Sequence, residues 1–287
     1  MSVFTTRFAP SPTGPLHLGH AYSALLAFSM ARTAGGRFLL RIEDIDRARS
    51  KPHWETQIFD DLQWLGVRWD APPIRQQDRQ PAYDTALQTL WAKGLLYPCH
   101  CTRRDIADAA SAPQEGASPA IGPDGVIYPG TCRPATPPTG PLPRDTALRL
   151  DMARATASKT YRFFETGAGP DAETGSITFS GDDAVRDIGD IVLARKAMGT
   201  SYHLAVVVDD AAQDITHVVR GQDLFAATRI HVILQELLGL PQPIFHHHRL
   251  IRDETGKRLA KRDDARAISM YRAEGKSPDD IRKMVGL

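Results

Sequence analysis

The sequence predicts an α/β fold in which helices cover a parallel β-sheet. An apolar run at residues 4–9 is followed by a loop rich in proline and glycine, by helical apolar spacing over residues 18–34, and by a second apolar run at 38–42. A strand, loop, helix and strand in this order favour a parallel sheet with its ligand site at the carboxyl ends of the strands. Apolar runs with the same α/β pattern return over residues 203–238.

The remaining elements follow from periodicity and composition. Apolar spacing predicts further helices at residues 51–65, 83–96 and 228–238. Strands are predicted at residues 147–152, 177–180, 190–195, 203–208 and 215–220, and the first two of them are expected to pair as a small antiparallel unit. The continuous apolar run at 203–208 fits a buried strand that carries Asp209 and Asp210 to the sheet edge. Residues 111–144, rich in Pro, Gly, Ala and Ser, predict an irregular insertion, and residues 265–287 predict a short helical tail.

Charge and composition narrow the range of partners. The chain has 35 Lys and Arg against 34 Asp and Glu, so no global positive field drives non-specific nucleic-acid binding and any RNA contact must be local. No apolar run approaches the ~20 residues that a membrane span needs, and the first ten residues lack a signal-peptide pattern. We therefore expect a cytoplasmic protein with no membrane association and, since nothing indicates an obligate interface, a monomer.

The stretch RFAPSPTGPLHLGH, residues 7–20, is the first candidate site. A helix that begins after a Pro/Gly-rich loop can hold phosphates at its start. His17 and His20 are three residues apart, and Gly19 between them allows a flat base to approach the backbone. The alternative is that both histidines are polar caps or half-buried core residues.

Four residues far apart in the sequence are expected to form an amino-acid pocket. Arg7, Glu43, Tyr202 and Arg220 each lie at or near the end of a predicted strand. Two guanidiniums and one carboxylate complement a ligand with two carboxylates and one ammonium. Taken singly, each of these residues is equally consistent with an ordinary surface ion pair.

Two further clusters contain side chains suited to binding a triphosphate or a metal ion. The basic segment TGKRLAKRDD, residues 255–264, is able to offset charge on a triphosphate, although a charged run is more often a solvated face. Cys99, Cys101 and Cys132 suit a zinc ion that needs a fourth ligand, for which His100, Tyr128 and Asp124 are candidates. The alternative is three reduced thiols without a metal. His246, His247 and His248 cannot all face one ion from a strand, so we interpret them as a polar approach to the basic segment.

These motifs resemble those of class I aminoacyl-tRNA synthetases, and the RFAPSPTG string resembles the glutamyl branch. The resemblance implies a Rossmann-like parallel sheet with an inserted zinc-containing sub-domain and a short helical C-terminal segment. It places the catalytic domain at residues 1–98 and 189–245, the insertion at 99–188, and the second signature loop with the tail at 246–287. RLAKR, residues 258–262, resembles the KMSKS signature, with Arg258 and Ala260 as departures and Lys261 as the retained lysine.

The resemblance also assigns roles to individual residues. It implies L-glutamate as ligand of a set that comprises Arg7, Phe8, Ala9, Pro10, Ser11, Glu43, Tyr202 and Arg220. It implies binding of ATP, accompanied by Mg²⁺, by a second set, with His17, His20 and Lys261 acting in catalysis; this set comprises His17, Gly19, His20 and Lys261. For the structural Zn²⁺ ion it favours Tyr128 as the fourth ligand beside Cys99, Cys101 and Cys132.

The LAVVVDD and YPGTCR strings resemble shortened glutamyl-tRNA synthetase paralogues that attach glutamate to queuosine in the anticodon of tRNA(Asp). Only about twenty residues follow the basic segment, whereas a full synthetase of this type continues into an anticodon-binding domain. The expected function is therefore tRNA-independent formation of glutamyl-adenylate, followed by transfer to queuosine. The alternatives are a synthetase that charges a tRNA acceptor end, a nucleotidyl transferase that works without tRNA, and a non-catalytic zinc-stapled RNA-binding module.

Overall fold

The computed structural model describes residues 3–111, 119–252 and 266–287. Its first part contains the elements β1 (Thr5–Phe8), α1 (Leu18–Thr33), β2 (Arg37–Ile42), α2 (Pro52–Trp64), β3 (Ile74–Arg75), α3 (Gln80–Ala92), β4 (Leu96–Cys99) and α4 (Arg103–Ser111). The middle part contains β5 (Ile121–Gly122), β6 (Gly125–Val126), β7 (Ala147–Leu150), α5 (Met152–Thr156), β8 (Thr160–Glu165), β9 (Gly175–Ser180), α6 (Gly181–Asp187) and β10 (Val192–Ala194). The last part contains α7 (Tyr202–Ala212), β11 (His217–Gly221), α8 (Thr228–Leu238), β12 (Ile244–His248), α9 (Ile268–Ala273) and α10 (Pro278–Val285).

Parallel strands form the centre of the molecule, as the sequence predicts. β1 pairs in parallel with β2, and β2 with β3. β11 pairs in parallel with β12 and β12 with β8, whereas β9 runs antiparallel at the edge. The backbone N–H of Thr216 donates to the carbonyl of Thr5 at 2.9 Å, so β11 lies directly beside β1. The carboxyl ends of β1, β2 and β11 therefore open toward one side of the molecule.

Two apolar cores support the strands. The first lies between α1, α2 and the β1–β2 sheet and includes Ile268 and Ile281, so the helical tail packs into it. The second surrounds α7, α8, β8 and β11 and extends into the middle part through Leu148 and Leu150. The predicted helical tail is thus confirmed as α9 and α10. Among the described residues, no helix is long and apolar enough to cross a membrane.

The buried strand predicted at residues 203–208 is wrong, because this run lies inside helix α7. The Ser201 hydroxyl accepts from the backbone N–H of Leu204 and caps the helix, which is a standard helix start. Most residues of α7 are buried, including His203, Asp209 and Asp210, so the helix is enclosed by protein on most of its sides. Its sequence shows no amphipathic stripe, and a short apolar run cannot distinguish a buried helix from a buried strand.

Two smaller expectations also need correction. Residues 177–180 pair with β8 and not with residues 147–152, because β8 is their immediate hairpin partner; β7 instead lies between β4 and β10 in a separate antiparallel sheet. The helix expected at residues 83–96 is α3, which begins earlier and ends at Ala92. Gly94 then adopts a left-handed backbone at φ +68°, a conformation that ends helices, and β4 begins at Leu96.

Candidate active site

A cavity of about 410 Å³ lies over the carboxyl ends of β1, β2 and β11. The predicted pocket residues Arg7, Glu43, Tyr202 and Arg220 all line it, although they come from four separate segments. Arg7 lies in β1, Glu43 follows β2, and Arg220 lies in β11, as expected for the ends of parallel strands. Tyr202 was expected near a strand end and is instead the first residue of α7. The other four residues of the predicted glutamate set, residues 8–11, form part of the same wall.

A buried ion-pair network lies at the end of the cavity that Arg7 and Glu43 line. Arg7 Nε lies 2.9 Å from Asp210 Oδ1, and Arg41 Nη1 lies 2.6 Å from the same oxygen. Arg41 Nη2 also donates to Glu43 Oε1 at 3.2 Å. Burial would raise the pKa of Asp210, but the charges of Arg7 and Arg41 hold it below its usual value. One carboxylate therefore neutralises part of two guanidiniums and fixes both in position.

Glu43 and Arg220 differ from this pair in their surroundings. Burial raises the pKa of Glu43, a shift that Arg41 and Arg7 oppose. Arg220 donates to His247 Nε2 at 3.0 Å and to Thr228 Oγ1 at 2.7 Å, and burial lowers its pKa. Within the described ranges, no carboxylate lies within ion-pair distance of Arg220, although it is only 6% exposed. Its charge is therefore available to an anionic ligand.

The other end of the cavity is formed by the start of α1. His17 is the N-cap residue: its Nδ1 accepts from the backbone N–H of Gly19 at 3.1 Å, and its own N–H donates to His20 Nδ1 at 3.2 Å. The two imidazole rings lie 3.8 Å apart, and both residues line the cavity. The capping interpretation is therefore correct as local structure. A Cβ on Gly19 would lie 3.0 Å from the His17 ring, so a larger residue at this position would crowd that ring.

Lys261 and the rest of the basic segment at 255–264 lie outside the described residues. The described residues on both sides of this segment lie close to the cavity. Leu250 and Ile251 line the cavity, and Ala267 forms a β-bridge with His17. The described residues that flank the segment therefore lie at the cavity wall and beside His17.

The three cysteines and Tyr128 form a compact donor set. The sulfur atoms of Cys99, Cys101 and Cys132 all lie within 4.8 Å of one another. The Tyr128 hydroxyl lies 3.5 Å from Cys99 Sγ and 3.4 Å from Cys101 Sγ, and it accepts from the backbone N–H of Cys132 at 2.8 Å. Burial opposes ionisation of Cys132, but hydrogen bonds with Tyr128 and the neighbouring thiols lower its pKa to about 7.

This set fits a metal ion that prefers thiolates. Three sulfur atoms with one oxygen at the remaining corner match the four-coordinate arrangement of structural zinc sites. The Arg149 guanidinium lies over the Tyr128 ring, 3.8 Å from its centre, and holds the tyrosine in place. His100 instead contacts Thr146, and Asp124 contacts His203, so neither alternative ligand points to the sulfur atoms in the way that Tyr128 does.

Comparison with known proteins places this site in a family. The family model for "tRNA synthetases class I (E and Q), catalytic domain" matches residues 3–121 and 165–287. The glutamyl-Q tRNA(Asp) synthetase of Rhodobacter capsulatus is 63% identical over 283 residues, covering 98% of this chain and 99% of that protein. The chain belongs to the class I tRNA synthetases of the glutamyl and glutaminyl type. The homologues of this synthetase are ligases, and the class I α/β catalytic fold is confirmed.

Two further relatives extend the comparison. The glutamyl-Q tRNA(Asp) synthetase of Symbiobacterium thermophilum is 42% identical, over 96% of this chain and 83% of that protein. Among solved structures, a glutamate tRNA ligase from Elizabethkingia meningosepticum in complex with its amino acid superposes with a TM-score of 0.77 at 27% identity. That match covers 100% of this synthetase chain and 61% of the ligase chain.

Sequence reasoning missed three residues that shape this synthetase pocket. Arg41 and Asp210 form the ion-pair network beneath it, and His247 holds Arg220. Arg41 lies inside the quoted RIEDID string and Asp210 ends LAVVVDD, but only the fold shows that they meet. The interpretation of His247 as part of a polar approach to the basic segment is wrong, because His247 is 1% exposed and its Nδ1 lies 2.5 Å from Glu165 Oε2.

A second cavity of about 320 Å³ is lined by residues close in sequence to those of the first. Ile45 lies on its wall two residues beyond Glu43, and Gly199 lies three residues before Tyr202, so the two cavities use neighbouring parts of the same segments. Three exposed arginines line the second cavity: Arg47, Arg144 and Arg195. Arg144 pairs with Asp84 at 3.1 Å, whereas no ion pair is found for the other two within the described ranges.

Proposed function

We propose that this protein uses ATP to convert L-glutamate to glutamyl-adenylate without tRNA, and then transfers the glutamyl group to queuosine in the anticodon of tRNA(Asp). The observation that carries the proposal is the single cavity that joins a charged amino-acid end to the start of helix α1. The names of the relatives from R. capsulatus and S. thermophilum support the choice of acceptor.

Charge complementarity supports glutamate as the amino acid. In the buried cluster, Arg7, Arg41 and Arg220 face Asp210 and Glu43, so three positive charges meet two negative ones. L-Glutamate carries two carboxylates and one ammonium, and its net charge of minus one offsets the excess. Arg220 is assigned to a ligand carboxylate and Glu43 to the ammonium. Arg7 completes the subsite that binds the anionic groups of the ligand. Tyr202 and the backbone of residues 8–11 close the pocket around the ligand.

The nucleotide end is assigned to ATP. In the proposed first step a glutamate carboxylate oxygen attacks the α-phosphorus in line, an oxygen–phosphorus bond forms, and the bond to the leaving pyrophosphate breaks. Positioning and charge stabilisation are sufficient for this step, so no protein nucleophile is required. His17 and His20 are assigned to the phosphates, Gly19 to the adenine, and Lys261 to the charge that develops at the α-phosphate. Class I synthetases use ATP with Mg²⁺, which would accompany the nucleotide here.

In the second step a hydroxyl oxygen of queuosine attacks the carbonyl carbon of the adenylate. An ester forms, the acyl–phosphate bond breaks, and AMP leaves with the hydroxyl proton transferred to solvent or phosphate. The second cavity supports RNA binding by the same chain segments, because Arg47 and Arg195 offer exposed guanidiniums to phosphates and lie within seven residues of Glu43 and Tyr202 in sequence. Zinc held by Cys99, Cys101, Tyr128 and Cys132 would act as a structural staple of the insertion.

The test separates the two steps and the two possible acceptors. ATP–pyrophosphate exchange is measured with L-glutamate and no RNA, and transfer of radiolabelled glutamate is then measured to three forms of tRNA(Asp): with queuosine, without queuosine, and with queuosine but without the 3′-terminal adenosine. We expect exchange without RNA and equal labelling of both queuosine-containing forms. Exchange that requires tRNA, or labelling lost with the terminal adenosine, would overturn the proposal in favour of conventional charging.

A further inference from the structure

Arg220 is held by a chain of hydrogen-bonded side chains that leads away from the pocket. Its Nη1 lies 3.0 Å from His231 Nδ1. His231 Nε2 lies 3.2 Å from His203 Nδ1, and His203 Nε2 lies 3.3 Å from Asp124 Oδ1. The chain crosses β11, α8, α7 and the turn between β5 and β6, so it connects the pocket to the insertion.

The hydrogen bonds in this chain can run in one direction. A guanidinium only donates, so His231 Nδ1 must accept and its proton must be on Nε2. His203 Nδ1 then has to accept from His231, which places the proton of His203 on Nε2, where the Asp124 carboxylate accepts it. The Arg220 guanidinium at one end and the Asp124 carboxylate at the other therefore favour the same tautomer of both histidines.

Neutral histidines accept hydrogen bonds from Arg220 without cancelling its charge, as carboxylates would. Asp210 compensates Arg7 and Arg41, whereas Arg220 donates to His231, His247, Thr228 and the Leu224 carbonyl, all of them uncharged. His231 is 2% exposed, and burial together with the Arg220 charge keeps its pKa well below the usual value. Four of the five guanidinium N–H groups are used in this way, which leaves one hydrogen on Nη1 for a ligand. Asp210 and Asp223 act on the Arg220 charge only from beyond ion-pair distance.

We propose that Asp124, His203 and His231 are positioning residues that fix Arg220 as a cation without a direct ion-pair partner for the glutamate carboxylate, and so determine the affinity and specificity of the pocket from the insertion. The proposal rests on the proposed function for the identity of the ligand. His203 and His231 also pack edge-on against Tyr202, with ring centres 5.4 and 5.9 Å away, so the same two residues hold a second pocket side chain.

The kinetic test compares variants by ATP–pyrophosphate exchange. His231→Leu removes the acceptor for Arg220, and we expect the KM for glutamate to rise about tenfold or more, the scale of losing a hydrogen bond to a charged group, with the KM for ATP within twofold. His231→Gln can accept at Oε1 and donate at Nε2, and it should restore most of the affinity. Asp124→Ala should raise the glutamate KM about fivefold, the scale of one ordinary hydrogen bond, whereas Asp124→Asn, which still accepts, should not. His246→Gln, on the other face of β12, is the control and should be unchanged.

A second measurement does not depend on activity. Long-range ¹H–¹⁵N NMR spectra at pH 7 should show His231 as the neutral Nε2–H tautomer and His247 as the neutral Nδ1–H tautomer, and Asp124→Ala should disturb the first and not the second. An Nδ1–H tautomer at His231 would overturn the proposal. So would wild-type-like glutamate KM values in both His231→Leu and Asp124→Ala, or equal increases in the KM for glutamate and ATP. Wild-type protein without any glutamate-dependent exchange would instead refute the proposed function. The NMR result would still decide whether Asp124, His203 and His231 hold Arg220 as proposed.

Discussion

Replacing Asp210 with asparagine tests whether the ion-pair network is the structural base of the pocket. The Asp210 side chain is 8% exposed and is shared between Arg7, which is 7% exposed, and Arg41, which is fully buried. Removing one partner of a buried pair costs about 3–5 kcal/mol, because the remaining charges lose their compensation. Asparagine keeps the shape and one acceptor, so we expect the lower end, about 3 kcal/mol.

The assay is urea unfolding at pH 7, supported by thermal melting. A loss of about 3 kcal/mol corresponds to a fall in Tm of about 6–12 °C for a chain of this size. Asp46→Asn is the control, because Asp46 pairs with Arg49 at 2.6 Å on the surface, where Arg49 is 70% exposed. Exposed pairs of this kind contribute about 0–1 kcal/mol. An Asp210→Asn loss no larger than that of Asp46→Asn would refute the reasoning.

The same substitution has a defined pH dependence. The pKa of Asp210 is lower in the folded protein than its usual value because Arg7 and Arg41 outweigh the effect of burial. A lowered folded-state pKa gives stability that is fully present above the unfolded pKa of about 3.9 and is lost as the pH falls through the folded-state value. The difference in unfolding free energy between wild type and Asp210→Asn should therefore be constant near neutral pH and should narrow only below about pH 4. A difference that narrows between pH 8 and 6 would assign the effect to another group.

Three further predictions address the ligand sites. Arg7→Ala should raise the KM for glutamate more than that for ATP in pyrophosphate exchange, and His20→Ala should do the reverse; similar losses from both would make residues 7–20 a determinant of folding first. Tyr128→Phe should retain one metal ion per chain with weaker binding in a chelator competition, whereas Cys132→Ser should lower the metal content measured by mass spectrometry; unchanged content in Cys132→Ser would argue against the site. Arg195→Glu should reduce transfer to tRNA about tenfold at moderate salt, because the new carboxylate repels phosphate, and should leave exchange unchanged. Lys196→Glu, one residue further along the chain, is the matched comparison.

The pocket could be predicted from sequence to the extent that strand ends are predictable. Arg7, Glu43 and Arg220 follow or end apolar runs, and parallel strands bring such positions to one edge irrespective of their distance along the chain. Tyr202 reached the same cavity from a helix start, so its placement was predicted correctly from an incorrect element. Resemblance to the family supplied its ligand role, which periodicity had no means to provide.

The network beneath the pocket could not be predicted because it depends on the orientation of α7. As a strand, residues 203–208 would place successive side chains on opposite faces, and Asp209 and Asp210 would point in opposite directions at the sheet edge. As a helix, the two carboxylates lie about 100° apart around the axis, and both are buried. Asp210 then meets Arg7 and Arg41, while Asp209 accepts from Arg79 and Tyr83 on the other side. The error in one element therefore hid two buried ion-pair sites.

This arrangement also explains how the proposed pocket would separate glutamate from glutamine, which have nearly the same shape. Shape alone cannot discriminate between them, but a buried site with one cation that lacks an ion-pair partner can. Glutamine would leave the charge of Arg220 buried without an ion-pair partner, because Asp210 and Asp223 act on that charge only from longer range and Arg7 and Arg41 occupy both oxygens of Asp210. Discrimination would then arise from the cost of leaving Arg220 desolvated and unpaired, a cost of several kcal/mol in a closed site. It follows that a substitution supplying a carboxylate next to Arg220, such as His231→Glu, should weaken glutamate binding and reduce the preference over glutamine, although it leaves every ligand-contacting side chain in place.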